Sequence, residues 1–85
     1  MKGLKKGEIN CWIYGSSRQD QMYLYLKQKD DFGSLPNTLM QHFGTPRLVM
    51  ELWLHAERKL AREDVSNVMH NLNVQGYHLQ MPPRI

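Results

Sequence analysis

Cysteine is almost absent from this 85-residue chain: Cys11 is its only one, so no intramolecular disulfide can form. Small secreted domains commonly need such staples, and their absence beside six methionines points to a reducing cytoplasm. Long apolar runs are missing too. Leu52-Trp53-Leu54 is far short of a membrane span, and basic Met1–Lys6 leads into polar Gly7-Glu8-Ile9-Asn10 rather than a signal core. There is no glycine-rich phosphate loop; the six glycines punctuate elements. No Cys-x-x-Cys or closely spaced histidine pair offers a metal site, so His42, His55, His70 and His78 read as scattered surface residues. Internal repeats and low-complexity segments are absent.

These absences leave one small domain. A chain of this length buries only about 60% of its unfolded surface, which allows one modest core and no second substrate domain. Its net charge of +3, with 11 basic against 8 acidic residues, is a mild bias that a solvated surface explains. Three of those positive charges, Lys2, Lys5 and Lys6, fall in residues 1–7, which read as a flexible leader. The domain is expected over 8–83, with 84–85 as a tail.

Hydrophobic periodicity orders the elements as β-β-α-β-α-β. Strands are expected at Ile9–Tyr14, Met22–Leu26, Leu48–Leu54 and Tyr77–Met81. The polar turn Gly15–Asp20 makes the first two a hairpin. A first helix is expected from Ser34 or Leu35, capped by Ser34 with Pro36 in its first turn, and ending at Phe43-Gly44. A second runs from about Arg62 to Val74, with Glu63 and Asp64 near its positive end and Gly76 as its stop. The two strand-helix-strand units predict an α+β fold with a mixed four-stranded sheet and both helices on one face.

Alternation then assigns strand faces. Ile9, Cys11, Ile13, Met22, Leu24 and Leu26 are expected on an aliphatic face beneath the helices. Trp12, Tyr14, Tyr23, Tyr25 and Trp53 are expected on an opposite, aromatic one. With Arg18 nearby, those five rings form the expected interaction surface. A base-stacking platform for RNA, aided by Arg18, Lys27 and Lys29, is the alternative reading of the same residues.

No catalytic set emerges. Cys11 with a histidine base would make a nucleophile, but mid-strand on an apolar face a free cysteine behaves as a small hydrophobe. Asp30-Asp31 precede a turn, and Glu63-Asp64 sit in a helix's first turn, so neither acidic pair needs a catalytic explanation. No catalytic, metal or cofactor-binding residue is assigned.

Several segments together resemble the YcgL-domain family. Cys11-Trp12-Ile13-Tyr14-Gly15-Ser16 followed by Tyr23-Leu24-Tyr25 is similar to its C-x-I-Y-x-S and Y-L-Y segments. Asp31-Phe32 with Pro36, Phe43-Gly44-Thr45-Pro46, Arg58-Lys59-Leu60 and Gln75-Gly76-Tyr77-His78-Leu79-Gln80-Met81-Pro82-Pro83 resemble its remaining motifs. The resemblance spans residues 9–83. It implies an α/β/α sandwich, a small protein of Gram-negative bacteria, chiefly gammaproteobacteria, and no assigned activity. It also implies a further helical segment beyond Pro83 in similar proteins. The combined expectation is a monomeric, non-enzymatic, cytoplasmic interaction protein without a cofactor. Its expected partner is another protein, with RNA as the alternative and no membrane association.

Overall fold

The computed structural model describes residues 8–60 and 62–83, so the expected leader (1–7) and tail (84–85) lie outside them. The elements follow the anticipated order: β1 (Ile9–Gly15), β2 (Tyr23–Leu26), α1 (Asn37–Phe43), β3 (Arg47–Leu54), α2 (Val65–Gln75) and β4 (Tyr77–Gln80). This is the expected small α+β fold.

The four strands lie in the order β3-β1-β2-β4, and every hydrogen-bonded pair is antiparallel. The expectation of a mixed sheet is therefore corrected. β2 and β3 do run in the same direction, and α1 carries the chain between them as a crossover. However, β1 lies between them, so the parallel relation never becomes a ladder.

The helices cover opposite faces, not one. α2 contributes Val65, Val68 and Leu72 to a core with Ile9, Cys11, Ile13, Tyr25 and Leu54. On the other face Leu35 and Phe43 pack with Tyr14, Met22, Leu24 and Leu26. The cause is the hairpin register. Ile13 pairs with Tyr25 and Tyr14 with Leu24, so directly opposed residues share a face. Each face thus mixes aliphatic and aromatic side chains, and each needs a helix. The result is the three-layer α/β/α arrangement that the family resemblance implied.

Local chemistry sets the helix ends. α1 starts after Pro36, which occupies its N-cap position without any side-chain cap, so Ser34 is not the cap. Proline disfavours helical geometry in the residue before it, which keeps Leu35 out of the helix. At the other end Gly44 has φ +79° and its N–H donates to the Met40 carbonyl at 2.9 Å. α2 is capped by Asp64, whose carboxylate accepts from the Ser66 N–H at 3.1 Å, and it closes on left-handed Gly76.

Candidate functional site

The six residues expected to form one interaction surface do not share one. Tyr14 is 2% exposed beneath the α1 side, and Tyr25 is 5% exposed beneath α2. Trp12 is half-buried with the α1 cluster, whereas half-buried Tyr23 packs with the α2 cluster. Arg18 is exposed on the β1–β2 loop, its side chain beside Gly44. Trp53 is 50% exposed on β3. Alternation holds along β1 and β2, but their faces meet one residue out of step with the expected matching, and in β3 the slip at Val49 turns Leu48 to the face opposite Met50 instead of the same one. The common base-stacking platform disappears with that correction.

The buried hydroxyls of Tyr14 and Tyr25 and the His78 ring are engaged by neighbouring polar groups, whereas Asn10 Oδ1 and Arg58 Nε are buried without a hydrogen-bond partner. The Tyr14 hydroxyl donates to Asp30 Oδ1 at 2.8 Å and accepts from the Asp30 N–H at 2.9 Å. The Tyr25 hydroxyl donates to Gln80 Oε1 at 2.8 Å, while its ring meets His78 edge-on at 5.5 Å. His78 is 8% exposed and held at both ring nitrogens, with Nδ1 2.9 Å from Asn71 Nδ2 and Nε2 2.5 Å from Glu63 Oε1. The Asn71 amide and the Glu63 carboxylate between them occupy both ring nitrogens. No ring nitrogen remains to take a proton from a substrate, so this cluster fastens α2 to β4.

Cys11 is fully buried, and burial pushes its thiol up to about 12, away from the thiolate that a nucleophile requires. Among the described residues no group of three or more His, Cys, Asp or Glu side chains could hold a metal ion. No helix among them is long and apolar enough to cross a membrane.

What remains is the β3 edge. A strand apolar on both faces, as Leu48–Leu54 is, normally lies inside a sheet. Here it is an edge strand, hydrogen-bonded on one side to β1. Leu48, Val49, Met50 and Trp53 are 46%, 48%, 46% and 50% exposed. Pairing slips between Ile13↔Met50 and Tyr14↔Leu48, so Val49 is an extra residue in a β-bulge. On the α2 side a groove of about 350 Å³ opens beside the strand, lined by Ile13, Tyr23, Val49, Met50, Leu52 and Leu60, with Arg62 as its one charged lining residue. Arg47 Nη2 lies close to Gly15 beside Val49 and Tyr23, adding a second guanidinium near this groove. The apolar composition of β3 is visible in the sequence, but its place at the sheet's edge is not. The missing information was the strand order.

The sequence is also similar to that of known proteins. The family model described as the YcgL domain matches residues 11–83. The chain belongs to the YcgL family. A YcgL domain-containing protein of Stutzerimonas stutzeri is 52% identical over 76 residues, covering 89% of this chain and 78% of the relative. One from Azotobacter vinelandii is 52% identical over 73 residues, covering 86% and 75%. The protein YcgL of Escherichia coli is 48% identical over 80 residues, covering 94% and 74%. The YcgL-like motifs noted in the sequence meet one another in space. Ser16 Oγ donates to the Phe43 carbonyl at 2.6 Å, joining the first motif to Phe43-Gly44. Tyr14 stacks edge-on against Phe32 at 4.9 Å, and Tyr25 bonds Gln80. These motif residues therefore have structural work that accounts for them.

Proposed function

We propose that this YcgL-family chain is a non-enzymatic interaction module that binds another protein through the outer side of β3. The observation that carries this reading is the half-exposed apolar edge formed by Leu48, Val49, Met50 and Trp53. Natural sheets usually blunt their edges with charge, proline or short length, because an open row of N–H and C=O groups invites another strand. This edge strand is eight residues long, contains no proline, and keeps only Arg47 and Glu51 as charged positions. Its bulge at Val49 limits uncontrolled pairing but leaves Met50–Leu54 in regular register with β1. Neither Cys11, sealed in the core, nor His78, held at both ring nitrogens, supports a catalytic role among the described residues.

The test is site-specific photo-crosslinking in the native bacterium. A photoreactive residue at Met50 or Trp53 is expected to trap a discrete protein, whereas one at exposed Asn73 on α2 is not. Equal products from all three positions, or none from β3, would remove β3 as the docking surface.

A further inference from the structure

The following inference rests on the docking reading above and specifies the partner's chemistry. We infer that the β3 edge accepts an extended, acidic, apolar segment of a partner protein as an added strand, with an apolar side chain in the α2-side groove and a carboxylate at Arg62 or Arg47. Three features lead there. First, β3 is paired only with β1 among the described strands, so its outer amides and carbonyls can continue the ladder. Met50–Leu54, beyond the bulge, is the part regular enough to do so.

Second, successive side chains of an added strand point to alternate faces. Those on the α2 side meet a groove whose β3 wall is Val49, Met50 and Leu52. Third, the one charged side chain among the groove's lining residues is basic. Arg62 lines the groove, Arg47 lies beside Val49, and no carboxylate lines it. Glu63, which follows Arg62, is engaged by His78, while Glu51 lies on the opposite face and accepts from Asn10 Nδ2 at 2.5 Å. A negatively charged segment is therefore favoured and a basic one repelled.

Other occupants fit less well. A second copy in an antiparallel two-fold arrangement would present its own Met50, Leu52 and Leu54 on the groove side, with no carboxylate for Arg62 or Arg47. Single-stranded RNA carries the right charge but has no peptide groups for the ladder. The stacking surface open to it is reduced to half-buried Trp12 and to Trp53, on the face opposite the Arg62 groove, since Tyr14 and Tyr25 are buried and Tyr23 lies on the groove side.

The experiment is selection of random displayed peptides on the full chain, followed by titration of a synthetic selected peptide into nitrogen-labelled protein. Enriched peptides are expected to alternate apolar residues and carry Asp or Glu. Amide shifts are expected at residues 50–54 and Arg62, with slowed hydrogen exchange on β3. Arg62→Glu is expected to weaken binding about fivefold, the order of one partly exposed charge pair, while Arg62→Lys retains most of it. A proline at the peptide's centre should abolish binding, since it removes a ladder donor. A melt of each Arg62 variant checks that the fold is kept.

Basic or helically spaced winners, no enrichment, shifts confined elsewhere, or indifference to the proline would each overturn the inference. So would oligouridine binding more tightly at the same residues, or concentration-dependent dimerisation of the chain through β3. Crosslinks at Met50 or Trp53 that persist beside such a result would leave the docking reading standing and remove only the acidic-strand occupant.

Discussion

Replacing Tyr25 and Trp53 in parallel tests the strand register most directly, because a shared aromatic face would make the two rings equivalent and the observed register makes them opposites. Tyr25 is 5% exposed in the α2-side core, and its hydroxyl donates to Gln80 Oε1 at 2.8 Å. Truncating a buried aromatic costs about 3–5 kcal/mol through lost transfer energy and the cavity left behind. Tyr25→Phe keeps the ring but strands Gln80 Oε1 in a buried site, which costs about 1–3 kcal/mol. Trp53 is 50% exposed, so Trp53→Ala forfeits only part of a side chain's burial, about 1 kcal/mol. A chain of this size is stable by roughly 4–13 kcal/mol, so Tyr25→Ala removes a large share of the total. Urea melts followed by far-ultraviolet circular dichroism, extrapolated linearly, resolve these steps. The expected order of loss is Tyr25→Ala, then Tyr25→Phe, then Trp53→Ala. A Trp53→Ala loss equal to that of Tyr25→Ala, or a neutral Tyr25→Phe, would refute the register and the polar contact respectively.

Three further outcomes are expected. Burial pushes the Cys11 thiol from 9.0 and the Tyr25 hydroxyl from 10.0 up to about 12, so the fold prefers both protonated. That preference stabilises fully below the unfolded values and is lost as pH rises from about 9 to about 12; a Cys11→Ala melt series should lose the earliest part of the decline, and a stability flat across that range would contradict the burial of both groups. Gly44→Ala should cost about 1–3 kcal/mol, because φ is +79° and the new Cβ would press on Ser17 Oγ, which accepts from the Thr45 N–H at 2.8 Å, and meet Arg18 Cγ at 2.7 Å. Gly76→Ala, at φ +86° with open space around it, should cost only about 1 kcal/mol, and the reverse order in a thermal melt would be inconsistent with the Ser17 contact. Chelator treatment should leave the melting temperature unchanged, and stoichiometric zinc in the purified protein by elemental analysis would overturn the metal-free reading.

Much of this protein was legible before any coordinates, because its strongest signals are local. Proline and glycine at 36, 44 and 76 and the spacing of Val65, Val68 and Leu72 act within a turn or two of chain, although the second helix starts at Val65 with Asp64 as its cap and not at Arg62. They placed six elements in the correct order, and the YcgL-like motifs pointed to three layers. The tertiary structure decided everything that depended on which strands lie side by side. Pairing Ile13 with Tyr25 put the tyrosines of β2 under α2, and pairing Tyr14 with Leu24 put that leucine with Trp12. Alternation of period two gives each strand two faces but does not say which face of one strand continues which face of the next. Strand order is equally invisible locally. Leu48–Leu54 carries the composition of an interior strand, and only the insertion of β1 between β2 and β3 leaves it at the edge with its apolar side chains exposed. The docking surface proposed here exists because long-range pairing placed an interior-type strand where nothing among the described strands covers it.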